Sequence, residues 1–256
     1  MNWYEDGISG RKFRVTIAMK TILVLGYLLL MLIFLSFKLS DDVSNNYSVA
    51  KTISKRTLSA AGMTVEAIGE ENIPKTSGVV IISNHKSVFD ALALIATVER
   101  AMGFVAAKEM YAPFLRQYIK AIGSVSIDRF INSTMDKRDI IRTQKKIADM
   151  LLEGHCLAIF PEGRLIYGEE LGEFSAASFK TPQMTDAYIV PTYIHGTEEI
   201  ITKRKWFRVP KTHITVTFAK AIKPSESGAA NTAELCRLTK NIIQEQKDLS
   251  AHEKVG

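Results

Sequence analysis

From about residue 69 onward, short apolar runs alternate with longer stretches in which apolar residues recur every three or four positions. The run "GVVIIS" (78–83) is continuous, apolar and β-branched, which predicts a strand buried on both faces. The following "VFDALALIATV" sets Phe89, Ala93, Leu94 and Val98 along one side of a helix predicted over 87–99. The alternation continues with strands at 103–108 and 124–129, separated by a helix over 109–123 whose proline fits its first turns. A long helix over about 134–153 directs Ile140, Ile141, Ile147, Met150 and Leu151 toward a core. Its other side carries Lys137, Arg138, Arg142, Lys145 and Lys146. Further strands are expected in "HCLAIFPEG" (155–163), "AYIVPTYIHG" (187–196) and "HITVTFAKAI" (213–222), before a terminal helix from about Asn231. Strands alternating with helices predict an α/β fold with a mostly parallel sheet flanked by helices.

The first third reads differently. "TILVLGYLLLMLIFLSF" (21–37) has no charge and no polar face. At helical rise it reaches roughly 25 Å, slightly short of a bilayer's hydrocarbon core. It either spans with snorkelling by Lys20 and Lys38 or dips into one leaflet. Cations stand on both sides of it, so the positive-inside rule selects neither orientation. An equal distribution is what a re-entrant helix pair with both flanks on the cytoplasmic side produces. The second member is expected over roughly 46–62, with its lysines and arginine facing anionic headgroups. This divides the chain into an N-terminal membrane-associated helical segment, 1–66, and an α/β domain, 67–256.

Composition narrows the partners. A net charge of +6 favours acidic ones, and both nucleic acid and an anionic membrane surface fit that sign. "TKRKWFRVPK" (202–211) sets cations beside Trp206 and Phe207, a combination found in single-strand binders, at membrane interfaces and on solvated hairpins. With an apolar segment already in the chain, lipid is the better functional reading, and no nucleic-acid partner is expected. Two cysteines without a CxxC pair imply reduced thiols rather than a disulfide framework or zinc site.

The candidate chemistry lies in "SNHKSVFDALAL" (83–94), where a strand gives way to a helix, the position at which open α/β sheets bind ligands. Two readings of it stand side by side. Ser87-x-x-Asp90 has the form of a capping box, in which Asp90 reaches back to a free backbone N–H and His85 is an ordinary loop residue. Alternatively, His85 lies just before the helix and Asp90 leans toward it from the first turn. A carboxylate holding one imidazole N–H leaves the other nitrogen as a base. No protein nucleophile accompanies the pair, so the proton it takes would come from a substrate hydroxyl. No further ligand is spaced to make a metal site.

The segment "NHKSVFD" resembles the NHxSxxD signature of the glycerolipid acyltransferases, the group that includes 1-acylglycerol-3-phosphate acyltransferase. Four further stretches are similar in order and spacing: "FVAAKEMYAPFL" (104–115), "AIGSVSIDR" (121–129), "IFPEGR" (159–164) and "YIVPTYIHG" (188–196). The resemblance covers about 70–220. It implies that His85, oriented by Asp90, is the general base through which an acceptor hydroxyl attacks an acyl thioester. It implies phosphate-binding cations at Lys108, Arg129 and Arg164, and substrate-lining roles for Glu162 and Gly163. The expected acceptor is lysophosphatidate. The donor is acyl-CoA or an acyl carrier protein thioester, and no separate cofactor is implied. One departure stands out: the usual "EGTRS" is here "EGRLI", with Arg164 directly after Gly163. That leaves open another lysophospholipid, such as lysophosphatidylethanolamine, or glycerol 3-phosphate as acceptor. A non-catalytic lipid-binding protein on the same fold is the alternative of another class. On either reading the protein is membrane-associated, with the α/β domain on the cytoplasmic face.

Overall fold

The computed structural model describes residues 40–107, 113–127, 137–168, 170–199 and 212–252. Among the described residues seven strands form one sheet in the order β1-β7-β6-β2-β5-β3-β4. They are β1 (Met63–Ile68), β2 (Val79–Ser83), β3 (Met102–Ala107), β4 (Val125–Ile127), β5 (Cys156–Ile159), β6 (Tyr188–His195) and β7 (Thr212–Phe218). Among the described residues six α-helices accompany them: α1 (Val43–Ala60), α2 (Phe89–Thr97), α3 (Pro113–Ala121), α4 (Lys137–Leu152), α5 (Lys180–Thr185) and α6 (Thr232–His252). All described pairings are parallel except that between β6 and β7, so the mostly parallel α/β architecture expected from the pattern is present.

The apolar run of β2 explains its central place. Its pairs with β5 and β6 bury all five residues, as a strand covered on both faces requires. Val79 and Ile81 join Ala93 and Leu94 of α2 and Tyr47, Ala50 and Leu58 of α1 in one core. Val80 and Ile82 face the opposite side, where Ile147 and Leu151 of α4 meet Leu235, Cys236 and Ile243 of α6. Both cysteines are buried free thiols. Ile141, expected to face inward, is instead 64 % exposed. At about 100° per residue it is turned roughly 100° around the helix from the side of Ile147 and Leu151, whereas Ile140 falls on that side.

The N-terminal third differs most from expectation. The apolar stretch 21–37 lies outside the described residues. The helix expected over 46–62 is present as α1, but it belongs to the α/β body: Tyr47, Ala50, Ile53 and Leu58 are buried in the core. Its cations are not all turned toward a surface. Lys51 donates to the Val98 carbonyl at 3.0 Å and pairs with Glu99 at 2.6 Å, closing the end of α2. Lys55 and Arg56 line a shallow hollow with Ser59 and Ala60. Residues up to 66 also run into β1, which pairs in parallel with β7 at the sheet edge. Among the described residues no helix is long and apolar enough to cross a membrane. The basic-aromatic stretch 202–211 also lies outside them.

Candidate active site

The end of β2 is where the chain must pass from ladder hydrogen bonds to the first turn of α2. Asn84 makes the passage by gripping the neighbouring strand. Its Nδ2 donates to the Ile194 carbonyl at 2.9 Å, and the Ile194 N–H donates to its Oδ1 at 2.8 Å. This buried pair satisfies both backbone groups of a β6 residue and fixes the start of the loop.

The next three residues are organised by one carboxylate oxygen. Asp90 is fully buried, and its Oδ2 accepts from His85 Nδ1 at 2.9 Å, Lys86 N at 2.7 Å and Ser87 N at 2.8 Å. The capping and catalytic readings are therefore not alternatives. The bond from Ser87 N is the carboxylate half of a capping box, and Ser87 Oγ accepts from Phe89 N at 3.3 Å. The same oxygen holds the imidazole. α2 begins at Phe89 rather than at 87, because Ser87 and Val88 form the turn that lets the loop reach back. The other oxygen, Asp90 Oδ1, is buried without a hydrogen-bond partner among the described residues.

With Nδ1–H given to Asp90, Nε2 of His85 is the nitrogen left to act as base. The imidazole stacks on Phe160 with centroids 4.0 Å apart and planes inclined by 11°, and Phe160 in turn stacks on Phe104. Phe160 follows β5, the parallel neighbour of β2. Phe160, just past the end of β5, thus sets the plane of the imidazole carried just past the end of β2.

Glu162 occupies an unexpected position. The resemblance implied that it lines the substrate; in the structure its Oε2 accepts from the backbone N–H of His85 at 3.1 Å and its Oε1 from that of Gly172 at 3.0 Å. Burial pushes its carboxyl up from the ordinary range, while the Gly172 and His85 amides and the Lys86 ammonium pull the other way. Gly163 adopts a left-handed conformation with φ 66°, as the turn after Phe160 requires, and its N–H donates to the Phe160 carbonyl. Arg164 follows on an exposed position. Lys108 and Arg129 lie outside the described residues, so of the three expected phosphate ligands only Arg164 is placed. The remaining histidines of the described sheet, His155, His195 and His213, sit beside Glu153, Glu198 and Glu66.

Three residues of the site were not singled out from sequence. Asn84 and Lys86 stand inside the quoted motif, and Phe160 inside "IFPEG". Their partners lie on β6, the loop after Tyr167 and the ring of His85, all remote in sequence. The strap from Glu162 to Gly172 also has a steric requirement. A Cβ on Gly172 would stand 2.6 Å from Ile166 Cγ1 and 3.1 Å from Glu162 Cγ. Gly172→Ala is therefore expected to destabilise the fold by about 1–3 kcal/mol through overpacking. Thermal unfolding checks this, and an unchanged melting temperature would show that the strap yields freely.

A half-buried histidine held on a buried aspartate at the carboxyl ends of parallel strands, with an aromatic wall and an arginine loop beside it, stands where open α/β sheets bind their ligands. The family model described as Acyltransferase matches residues 64–195, just over half the chain, and the protein belongs to that family. It is a 1-acylglycerol-3-phosphate O-acyltransferase-like enzyme. It is 30% identical over 188 residues to a probable 1-acyl-sn-glycerol-3-phosphate acyltransferase of Mycoplasma pneumoniae, covering 68% of each chain. It is 28% identical over 150 residues to the 1-acyl-sn-glycerol-3-phosphate acyltransferase of Borreliella burgdorferi, covering 58% of each. The crystal structure of the 1-acyl-sn-glycerophosphate (LPA) acyltransferase PlsC from Thermotoga maritima shares the fold. Its TM-score is 0.71 at 19% identity, over 94% of this chain and 97% of that one.

Proposed function

We propose that this protein transfers an acyl chain from a thioester to the sn-2 hydroxyl of 1-acylglycerol 3-phosphate, producing phosphatidate. The observation that carries this reading is the 2.9 Å contact between His85 Nδ1 and a fully buried Asp90 at the end of β2. His85 Nε2 takes the proton of the acceptor hydroxyl as its oxygen attacks the thioester carbon. The tetrahedral intermediate collapses with cleavage of the C–S bond, and the proton passes from the imidazolium to the departing thiolate. Ester and free thiol are the products. No metal or cofactor enters this scheme beyond the thioester, carried on coenzyme A or on an acyl carrier protein.

Arg164 is the proposed phosphate ligand, two residues beyond a glutamate bonded to the His85 backbone. Its guanidinium can hold two phosphate oxygens at once. Lys108 and Arg129 are proposed to complete the site on the strength of the resemblance. The stretch 21–37 is proposed to hold the enzyme at the membrane, with the α/β body on the cytoplasmic face, where its lipid acceptor is concentrated. A second reading, another lysophospholipid as acceptor, is favoured by one feature: Leu165 follows Arg164 where the family's block continues with polar residues.

Purified protein in detergent, supplied with an acyl thioester and several lysolipids, tests both readings through thiol release and product mass. Release that requires lysophosphatidate is the expected outcome. Preference for a different headgroup would retain the chemistry and move the acceptor, whereas no release with any acceptor, from folded protein and both donor types, would remove the enzymatic reading. Arg164→Ala is expected to raise the acceptor KM by tenfold or more, since a hydrogen bond to a charged group is worth about 1.5–3 kcal/mol. A rise in donor KM alone would show that Arg164 does not bind the phosphate.

A further inference from the structure

Lys86 is 3 % exposed, an unusual position for a lysine, yet nothing in the scheme above uses it. Its ammonium donates to the Gly168 carbonyl at 2.9 Å and to the Glu170 carbonyl. Those carbonyls belong to the strap formed by residues 162–168 and 170–172, and three further ties of that strap lie at or beside the His85 loop, while the Glu170 side chain pairs with Lys247 of α6. His85 N donates to Glu162, Ile166 N donates to the His85 carbonyl at 2.9 Å, and Gly172 N donates to Glu162 and closes the strap on itself. Arg164 stands between the tie at 162 and the tie at 166. Desolvation lowers the pKa of Lys86, and the carboxylates of Glu162, Glu198 and Glu170 oppose that effect. A buried ammonium has a large desolvation penalty, so filling space does not account for it. What it supplies is a set of donors able to hold two carbonyls of one loop at once.

We infer that Lys86 is a positioning residue, which anchors the 162–172 strap to the His85 loop and thereby sets where Arg164 stands relative to the base. Acceptor binding then depends on Lys86, and donor binding does not. The inference rests on the reading of Arg164 as the phosphate ligand. Its physical half, the anchoring itself, is open to a measurement that needs no turnover.

The experiment compares the full-length protein with Lys86→Met, which keeps the length of the side chain, and Lys86→Arg, which keeps the charge. Amide hydrogen exchange is followed at Ile166 and Gly172, and KM is measured for lysophosphatidate and for the thioester. Lys86→Met is expected to speed exchange at both amides by about tenfold, the equivalent of 1.4 kcal/mol, and to leave exchange at Val190 in β6 unchanged. The acceptor KM should rise by about tenfold and the donor KM stay within about twofold, with partial recovery in Lys86→Arg. Unchanged exchange at Ile166 and Gly172 would overturn the anchoring. Equal rises in both KM values, or faster exchange throughout the sheet, would reduce Lys86 to a merely structural role. An unmoved acceptor KM in Arg164→Ala, beside loosened amides in Lys86→Met, would sink the phosphate reading and the acceptor-specific part of this inference with it.

Discussion

Replacing His85 with alanine is expected to lower kcat by about 10²- to 10⁴-fold, the usual contribution of a positioned general base. The size of the effect matters because the residue also packs. Its ring lies 4.0 Å from that of Phe160, and losing such a stack costs about 0.5–1.5 kcal/mol. The rate loss corresponds to about 3–5 kcal/mol in the barrier, well beyond the packing loss. Activity should therefore vanish from a protein that still unfolds cooperatively, at a slightly lower temperature. Single-turnover thiol release, measured alongside a melting curve, separates the two. A variant that folds and retains more than a tenth of wild-type kcat would show that the imidazole is not the base.

Asp90 should give the second large effect, on stability and on rate together. Alanine there removes the acceptor of two buried backbone N–H groups, Lys86 N and Ser87 N, as well as the partner of the imidazole. Each orphaned donor costs about 1–3 kcal/mol, against a total stability of about 5–15 kcal/mol for a typical domain. Asp90→Ala is accordingly expected to lower the melting temperature far more than His85→Ala does. Asp90→Asn distinguishes the roles, since an amide oxygen can accept the same three bonds without a charge. Bonds to an ionised acceptor are roughly twice as strong as neutral ones, so Asn should keep most of the fold and lose at least about tenfold in kcat. Full activity in a stable Asp90→Asn enzyme would confine the carboxylate to its capping role.

The parts of this site that were legible in sequence are those made within one turn of chain. His85 and Asp90 are five residues apart across a strand–helix junction, and the apolar run before them and the helical period after them locate that junction. The burial of β2 and the alternation of elements were legible for the same reason, because periodicity reports which side of an element is covered. Reading failed where one element is asymmetric or where the partner is remote. β1 buries Met63 alone among its six residues, an edge-strand pattern too weak to stand out beside the helix before it. Ile141 looks as apolar as Ile140, and only the helix's contacts decide which of the two faces water.

Glu162 shows the larger gap. The resemblance implied a substrate-lining role for it, and the structure adds that its two oxygens accept from backbone amides, one of them 77 residues earlier. Lys86 was not singled out between His85 and Ser87, and it is buried with its ammonium on two carbonyls 82 and 84 residues downstream. The apolar character of 21–37 and the family to which the chain belongs are properties of local composition and ordered motifs, so they could be read one segment at a time. The order of the strands, the ring behind the imidazole and the strap beside it depend on pairings between segments that no local period encodes. By itself the sequence singled out His85 and Asp90 at the end of β2 as a pair suited to carry the chemistry. The tertiary structure decided what holds them there, because hydrogen bonds and stacking are fixed by distance in space and not by distance along the chain.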